Sequence, residues 1–240
     1  MLTASAGAFP GLAEVLSDMS VRLEARPLVS FAPPVDWAPL DTALSQRHSY
    51  QAIALTSPRA ARALVERMDA GGLVWETTPR VWVVGAATEE ALQGRVGPVE
   101  MSQPQPGESA ALSLARAMLK ARVGSPVLFP CGDRRRDELP DLLRRQGVQV
   151  NEIVCYRTVL ATLEQAREAV SGSTIVIVAS PSVAELLAVA CPAPMRPHLV
   201  AAGTTTAGAA EAAGWPAAAV AAEPSSTALT AAIVGLLATR

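Results

Sequence analysis

The 240-residue chain is short of several things, and each shortage narrows its class. Aromatic residues are only 4% while apolar residues reach 50%, so the core must be built from Ala, Val and Leu. Lys120 is the only lysine, and nearly all positive charge is arginine. The net charge of −2 excludes the global basic field that nucleic-acid binders use. Any anionic ligand must therefore be held by local groups. The three cysteines, Cys131, Cys155 and Cys191, are well separated and odd in number. That points to no disulfide framework and to a reducing, cytoplasmic setting. No uncharged apolar run reaches the roughly 18–20 residues that span a bilayer. No basic stretch precedes the N-terminal apolar segment, so no secretory signal is expected. No His/Cys cluster has metal-ligand spacing, so no metal site is expected. Gly-x-Gly-x-x-Gly, the phosphate loop and the Gly-x-Ser-x-Gly elbow are all missing, which sets nucleotide enzymes and that class of hydrolase aside.

What is present is alternation. Short β-branched runs at 52–56, 80–84, 127–130, 174–179 and 198–202 read as strands. Ala/Leu-rich patterns at 58–68, 110–120, 134–146, 181–189 and 226–238 read as helices. In 110–120, Ala111, Leu112, Ala115, Met118 and Leu119 fall on one helical face. Strand and helix in regular turn predict an α/β protein with parallel sheets covered by helices.

The chain also repeats itself. Ile53-Ala-Leu-Thr-Ser-Pro58, a helix and Val83-Val-Gly-Ala-Ala-Thr88 are echoed by Ile177-Val-Ala-Ser-Pro181, a helix and Ala201-Ala-Gly-Thr-Thr-Thr206. In each copy one strand ends in Ser-Pro and a later one in Gly-x-x-Thr. Two similar parallel-sheet α/β domains follow from this. The first copy continues into a strand that opens onto Cys131-Gly132-Asp133. The second runs out of chain, and the N-terminal 30 residues supply the missing piece. We therefore expect a discontinuous domain of 1–30 plus 161–240 and a continuous one of 36–152. Residues 31–35 and 153–160 would be a two-stranded β linker, with Pro33-Pro34 stiffening the first crossing.

Pro27-Leu-Val-Ser-Phe-Ala-Pro-Pro34, Leu55-Thr-Ser-Pro58, Val84-Gly-Ala-Ala-Thr88, Gly132-Asp133, Val154-Cys-Tyr-Arg-Thr158, Ala179-Ser-Pro-Ser182, Gly203-Thr-Thr-Thr206 and Ala222-Glu-Pro224 occur in a characteristic order. In that order and spacing the chain resembles the uroporphyrinogen-III synthase family over nearly its whole length. The resemblance implies two α/β domains joined by a β-ladder, with the active site in the cleft between them. It implies a monomeric enzyme of haem biosynthesis that needs no cofactor. The implied substrate is hydroxymethylbilane, a linear tetrapyrrole with eight carboxylates. Loss of its hydroxyl as water gives an azafulvene, which the far pyrrole attacks through its substituted carbon. The resulting spiro intermediate fragments and recloses with the last pyrrole inverted. The enzyme's task is mainly orientation, with acid assistance to the leaving hydroxyl.

Tyr156 is, by resemblance, the candidate acid, since a phenol of ordinary acidity is protonated at neutral pH and can donate. The alternative is an aromatic packed at the crossing. Thr56-Ser57 and Ser180 with Ser182 stand at helix starts. There they can serve as caps, or their free N–H groups can hold carboxylates. Gly85 with Thr88, and Gly203 with Thr205 and Thr206, stand at strand ends. Glycine there allows close approach of a ligand, and threonine can donate or simply cap. Gly132, Asp133 and Arg134 head an Arg134-Arg135-Arg136 run, which is either a solvated face or a carboxylate site. His198 occupies a place where the family often carries a basic residue. Two departures stand out. Leu2-Thr-Ala-Ser5 replaces an opening close to Thr-Arg-Pro, and Cys131 replaces the arginine of Arg-Gly-Asp. A relative that binds a tetrapyrrole or another polyanion without turnover is the rival reading. A two-domain receptor for a small solute is a second.

Overall fold

The computed structural model describes residues 1–75, 79–105 and 108–238. The chain is mixed α/β and divides into two compact units, residues 1–30 with 159–240, and residues 31–158. In chain order the elements begin with α1 (Leu12–Asp18), β1 (Val29–Ala32) and α2 (Ala38–Ser45). They continue with β2 (Ala52–Leu55), α3 (Pro58–Ala70), β3 (Arg80–Val84), α4 (Ala86–Glu90) and β4 (Val99–Ser102). Next come α5 (Ala110–Lys120), β5 (Val127–Gly132), α6 (Glu138–Arg145) and β6 (Val150–Leu160). The chain closes with α7 (Leu163–Val170), β7 (Ile175–Val178), α8 (Pro181–Ala190), β8 (His198–Ala201), α9 (Thr204–Ala212), β9 (Ala219–Val220) and α10 (Ser226–Ala238).

In the unit of residues 31–158 the strands order as β6-β5-β2-β3-β4, every neighbouring pair parallel, with β1 outside β6. Helices cover both faces, so the central strands are apolar on both sides. Ile53, Leu55, Val81, Val83 and Leu128 pack with Leu40, Leu44, Leu64 and Met68 of α2 and α3. Ala52, Ala54, Trp82, Val127 and Phe129 pack with Leu114, Met118, Leu139 and Leu143 of α5 and α6. Helix α3 starts where Ser57 accepts a bond from the Ala60 N–H at 3.2 Å, and Pro58 fills the first helical position. Ser109 caps α5 in the same way, accepting from the Leu112 N–H. Arg67 of α3 donates to both carboxylate oxygens of Asp41, at 2.7 and 2.6 Å, tying α2 to α3.

In the other unit β7, β8 and β9 form a parallel sheet. Leu2 bridges Ile177 of β7 on one side and Ala25 on the other, both in parallel. The N-terminal segment thus sits beside β7 as β5 sits beside β2. Val176, Val178, Leu199 and Ala201 face α7, α8 and α9. Ile177 and Val200 face Leu12 and Leu16 of α1 and Leu229 and Ile233 of α10. A capping box between Thr162 and Gln165 opens α7.

The N-terminal segment joins this sheet through bridges at Leu2 alone and not as a full strand. The helix expected over 134–146 begins at Glu138, because a turn at Asp133 and Arg134 brings the Arg135 N–H to the Gly132 carbonyl. Strand β6 starts at Val150 and pairs with β5 as far as Tyr156, with an irregularity in register between Cys131 and Gly132.

Phe129 is 1% exposed and sits mid-sheet between α5 and α6. Phe129→Ala is expected to lower stability by about 3–5 kcal/mol. Denaturant titration of the purified variant checks this, and a loss below about 1 kcal/mol would contradict the packing described.

Candidate functional site

In a parallel sheet all strands end at one edge, and ligands gather beyond it. In the unit of residues 31–158 that edge carries Thr56-Ser57 after β2, Gly85 after β3, and Gly132-Asp133 at the end of β5. Tyr156 reaches the same edge through an irregularity. Cys131 pairs with Val154, but Gly132 pairs with Tyr156, so Cys155 is an extra residue in the ladder. In a regular strand neighbouring side chains point to opposite faces. The extra residue lets Cys155 and Tyr156 pack toward the same cluster, that of Ile53 and Leu64. The Tyr156 hydroxyl then lies 3.3 Å from the Ser57 hydroxyl.

Gly132 makes this placement possible. A Cβ there would stand 2.6 Å from two ring carbons of Tyr156 and 2.8 Å from its oxygen. Asp133 locks the strand beyond. Its N–H donates to the Tyr156 carbonyl at 3.2 Å, and its carboxylate accepts from the Thr158 N–H at 2.8 Å. Gly132 and Asp133, expected as ligand contacts, are thus engaged in seating Tyr156.

The other expected residues divide. Ser57 caps α3 and also reaches Tyr156, so the two readings of it coincide. Gly85 adopts φ 72°, a backbone glycine favours, and opens α4. Thr88 is 2% exposed and Thr206 5%, so both face inward, while Thr205 is exposed. Arg134 is exposed with no ion pair or hydrogen bond among the described residues. Arg135 instead pairs with Glu152 and with Asp137.

In the unit of residues 1–30 and 159–240, Ser180 and Gly203 lie just past β7 and β8, at the strand-end edge of that sheet. Ser180 does not cap α8 with its side chain, as was expected. Its hydroxyl lies 3.0 Å from that of Ser182, which draws it from the helix N–H groups. His198 begins β8, so a four-residue strand of about 3.3 Å per residue separates it from Gly203. It belongs to the opposite edge.

Two residues near Tyr156 were not singled out from the sequence. The Phe31 ring meets the Tyr156 ring edge-on, with centroids 5.9 Å apart and planes at 72°. The Arg59 guanidinium lies 3.4 Å over the Phe31 ring. The only sequence signal is position: Arg59 follows Ser57-Pro58, and Phe31 lies before Pro33-Pro34. No group of three metal-ligating side chains occurs among the described residues. A cavity of about 610 Å³ beside Met1 and Glu24 lies in the other unit, and one of about 750 Å³ opens beside Lys120 and Ser102, the last residue of β4. Neither brings a candidate acid to a helix start, so the strand ends at Ser57 and Tyr156 are the better site.

The thiols under this edge are inert. Burial is the largest influence on both, raising Cys131 from 9.0 to about 11 and Cys155 to about 12. The Cys155 thiol donates to the Cys131 carbonyl at 3.4 Å.

Two outcomes are expected. Gly132→Ala must displace the end of the Tyr156 side chain, so a crystal structure of the variant should show the phenol hydroxyl moved away from Ser57 while the melting temperature moves by only a few degrees. A phenol left in place would remove the seating role. For the thiols, the folded pKa values lie above the unfolded one. Between pH 9 and about 11–12 the unfolded chain releases protons that the folded chain keeps, so stability falls as pH rises. Denaturant titrations at pH 8 and 10 should show this fall, and Cys155→Ala should reduce it.

The family described as Uroporphyrinogen-III synthase HemD matches residues 11–231. A relative named uroporphyrinogen-III synthase, from Synechococcus elongatus, is 27% identical over 160 residues. That stretch is 66% of this chain and 60% of the relative, so the match spans less than two thirds of the relative's length. A mutant uroporphyrinogen III synthase structure from the extremely thermophilic bacterium Thermus thermophilus superposes with a TM-score of 0.59 at 14% identity, covering 100% of this chain and 98% of that one. A uroporphyrinogen-III synthetase structure from Helicobacter pylori gives a TM-score of 0.60 at 18% identity, covering 90% and 96%. These two structures establish the fold, and the match over residues 11–231 establishes the kinship: the chain belongs to the uroporphyrinogen-III synthase family.

Proposed function

We propose that the chain is a uroporphyrinogen-III synthase, a lyase that closes hydroxymethylbilane with inversion of the last pyrrole and loss of water. The observation that carries this reading is the meeting of Tyr156 and Ser57 at the strand-end edge. A phenol there can donate its proton to the departing hydroxyl. The C–O bond breaks, water leaves, and the electron pair of the adjacent pyrrole nitrogen forms the azafulvene. The Ser57 hydroxyl can then donate to the phenolate. The proton lost from the far pyrrole after ring closure returns the phenol to its starting state. The backbone N–H groups at the start of α3 favour a carboxylate of the substrate.

The finer organisation is part of the same proposal. Residues 1–30 with 161–240 and residues 36–152 are read as two related domains, with 31–35 and 153–160 as the crossing strands. Supporting this, the Ala161 N–H donates to the Leu28 carbonyl at 2.9 Å, the Ser30 hydroxyl to Val159 at 3.4 Å, and Arg157 to the Pro33 carbonyl at 2.9 Å. The partners run in opposite chain directions, as in a two-stranded ribbon. The protein is proposed to act as a cytoplasmic monomer. No helix among the described residues is long and apolar enough to cross a membrane.

The test is an isomer assay. Purified protein with fresh hydroxymethylbilane should give an excess of type III over type I porphyrin after oxidation. Tyr156→Phe should lower kcat by roughly a hundredfold with little change in KM. Type I alone at the uncatalysed rate would leave a polyanion-binding relative as the reading.

A further inference from the structure

Phe31 is an anomaly in a chain so poor in aromatics. The other two phenylalanines, Phe9 and Phe129, are 7% and 1% exposed, whereas Phe31 is 44% exposed. It is outside the buried cluster that Tyr156 packs against. What it does touch is one cation on its face and the candidate acid at its edge.

Arg59 is anomalous in turn. Arg67, Arg95, Arg116, Arg135 and Arg144 are each ion-paired to a carboxylate. Arg59 has no ion pair or hydrogen bond among the described residues. It occupies the second position of α3, directly after Pro58, where the helix dipole disfavours a cation. Burial pulls its pKa below the usual value, the phenol of Tyr156 opposes that, and Arg62 adds to it; no acidic side chain takes part. Helix stability therefore gives no reason for an arginine here. Stacking does explain its orientation. A guanidinium flat on a ring keeps its fork of in-plane donors free, the arrangement that grips a carboxylate with two bonds.

We propose that Arg59 binds a carboxylate of the substrate beside Tyr156, and that Phe31 is a positioning residue that presents Arg59 for that contact. The inference rests on the synthase reading for the identity of the ligand. It adds a residue pair that selects acidic side chains on the pyrrole nearest the reacting carbon. It also makes up for the cationic group missing at Cys131, in the same unit.

Two measurements on the same full-length proteins separate this inference from the function it rests on. One is equilibrium binding of uroporphyrin III, an octacarboxylate, followed by fluorescence. The other is kcat and KM for hydroxymethylbilane. Arg59→Ala and Phe31→Leu should each weaken uroporphyrin binding by roughly tenfold, the loss of one charge-assisted contact. Arg59→Lys should fall between, and Phe31→Trp should recover most of the binding lost in Phe31→Leu. In turnover the change should appear mainly in KM. Melting temperatures should not move, since both side chains are exposed. Binding unaltered in Arg59→Ala would overturn the proposal whatever the turnover. Equal losses in Phe31→Leu and Phe31→Trp would remove Phe31 from it. Wild-type protein that binds uroporphyrin through Arg59 but forms no type III isomer would sink the synthase reading and leave this one standing.

Discussion

The candidate site depends on one break in a ladder. Between β5 and β6 the register slips at Cys131/Gly132, so that Gly132 lies against Tyr156 instead of Cys155. A single extra residue in a strand reverses the face of everything beyond it. Here it turns a half-buried phenol toward the start of α3. The adjoining residues protect that turn. Gly132 leaves no atom where the ring must lie, and Asp133 holds the backbone on both sides of Arg157. The buried thiols beneath it carry no charge at neutral pH, so they add packing without adding charge beside the Tyr156 hydroxyl.

Charge is used sparingly around this break. Most arginines that hold the fold are paired, as Arg67 is with Asp41 and Arg135 and Arg144 are with Glu152. These pairs are partly buried, and they remove free cations from the surface. The arginines left without partners then stand out. Arg59 and Arg134 lie near the strand-end edge, which matters for a protein whose net charge is −2 and whose proposed ligand is strongly anionic. With no general field to attract such a ligand, recognition falls to a few placed groups and to helix N–H donors.

The parallel α/β character was legible because its signal is local. Ala52–Leu55, Val127–Gly132 and Ile175–Val178 are short apolar runs, and Ser57-Pro58 marks a helix start through capping chemistry alone. The helix over Ala110–Lys120 announced itself by the spacing of its apolar face. Boundaries were weaker where long-range bonds decide. Arg134–Arg136 looked helical, but Arg135 is drawn away by Glu152, seventeen positions later. Ser180 looked like a cap, but Ser182 is nearer to hand. His198 sat beside family-like residues in sequence, yet a strand's length carries it to the other edge.

By itself the sequence determined the alternation of elements, the paired Ser-Pro and Gly-x-x-Thr strand ends, and the candidacy of Tyr156. The first two follow from propensity, capping and order along the chain, and the third from the resemblance of these motifs to the synthase family; none needs knowledge of distant neighbours. Only the tertiary structure decided that Gly132 and Asp133 serve Tyr156, and that Phe31 and Arg59 gather around it. Those contacts join residues 24 to 125 positions apart. They arise because a slipped register and a shared strand-end edge bring them together, and neither leaves a periodic trace in the sequence.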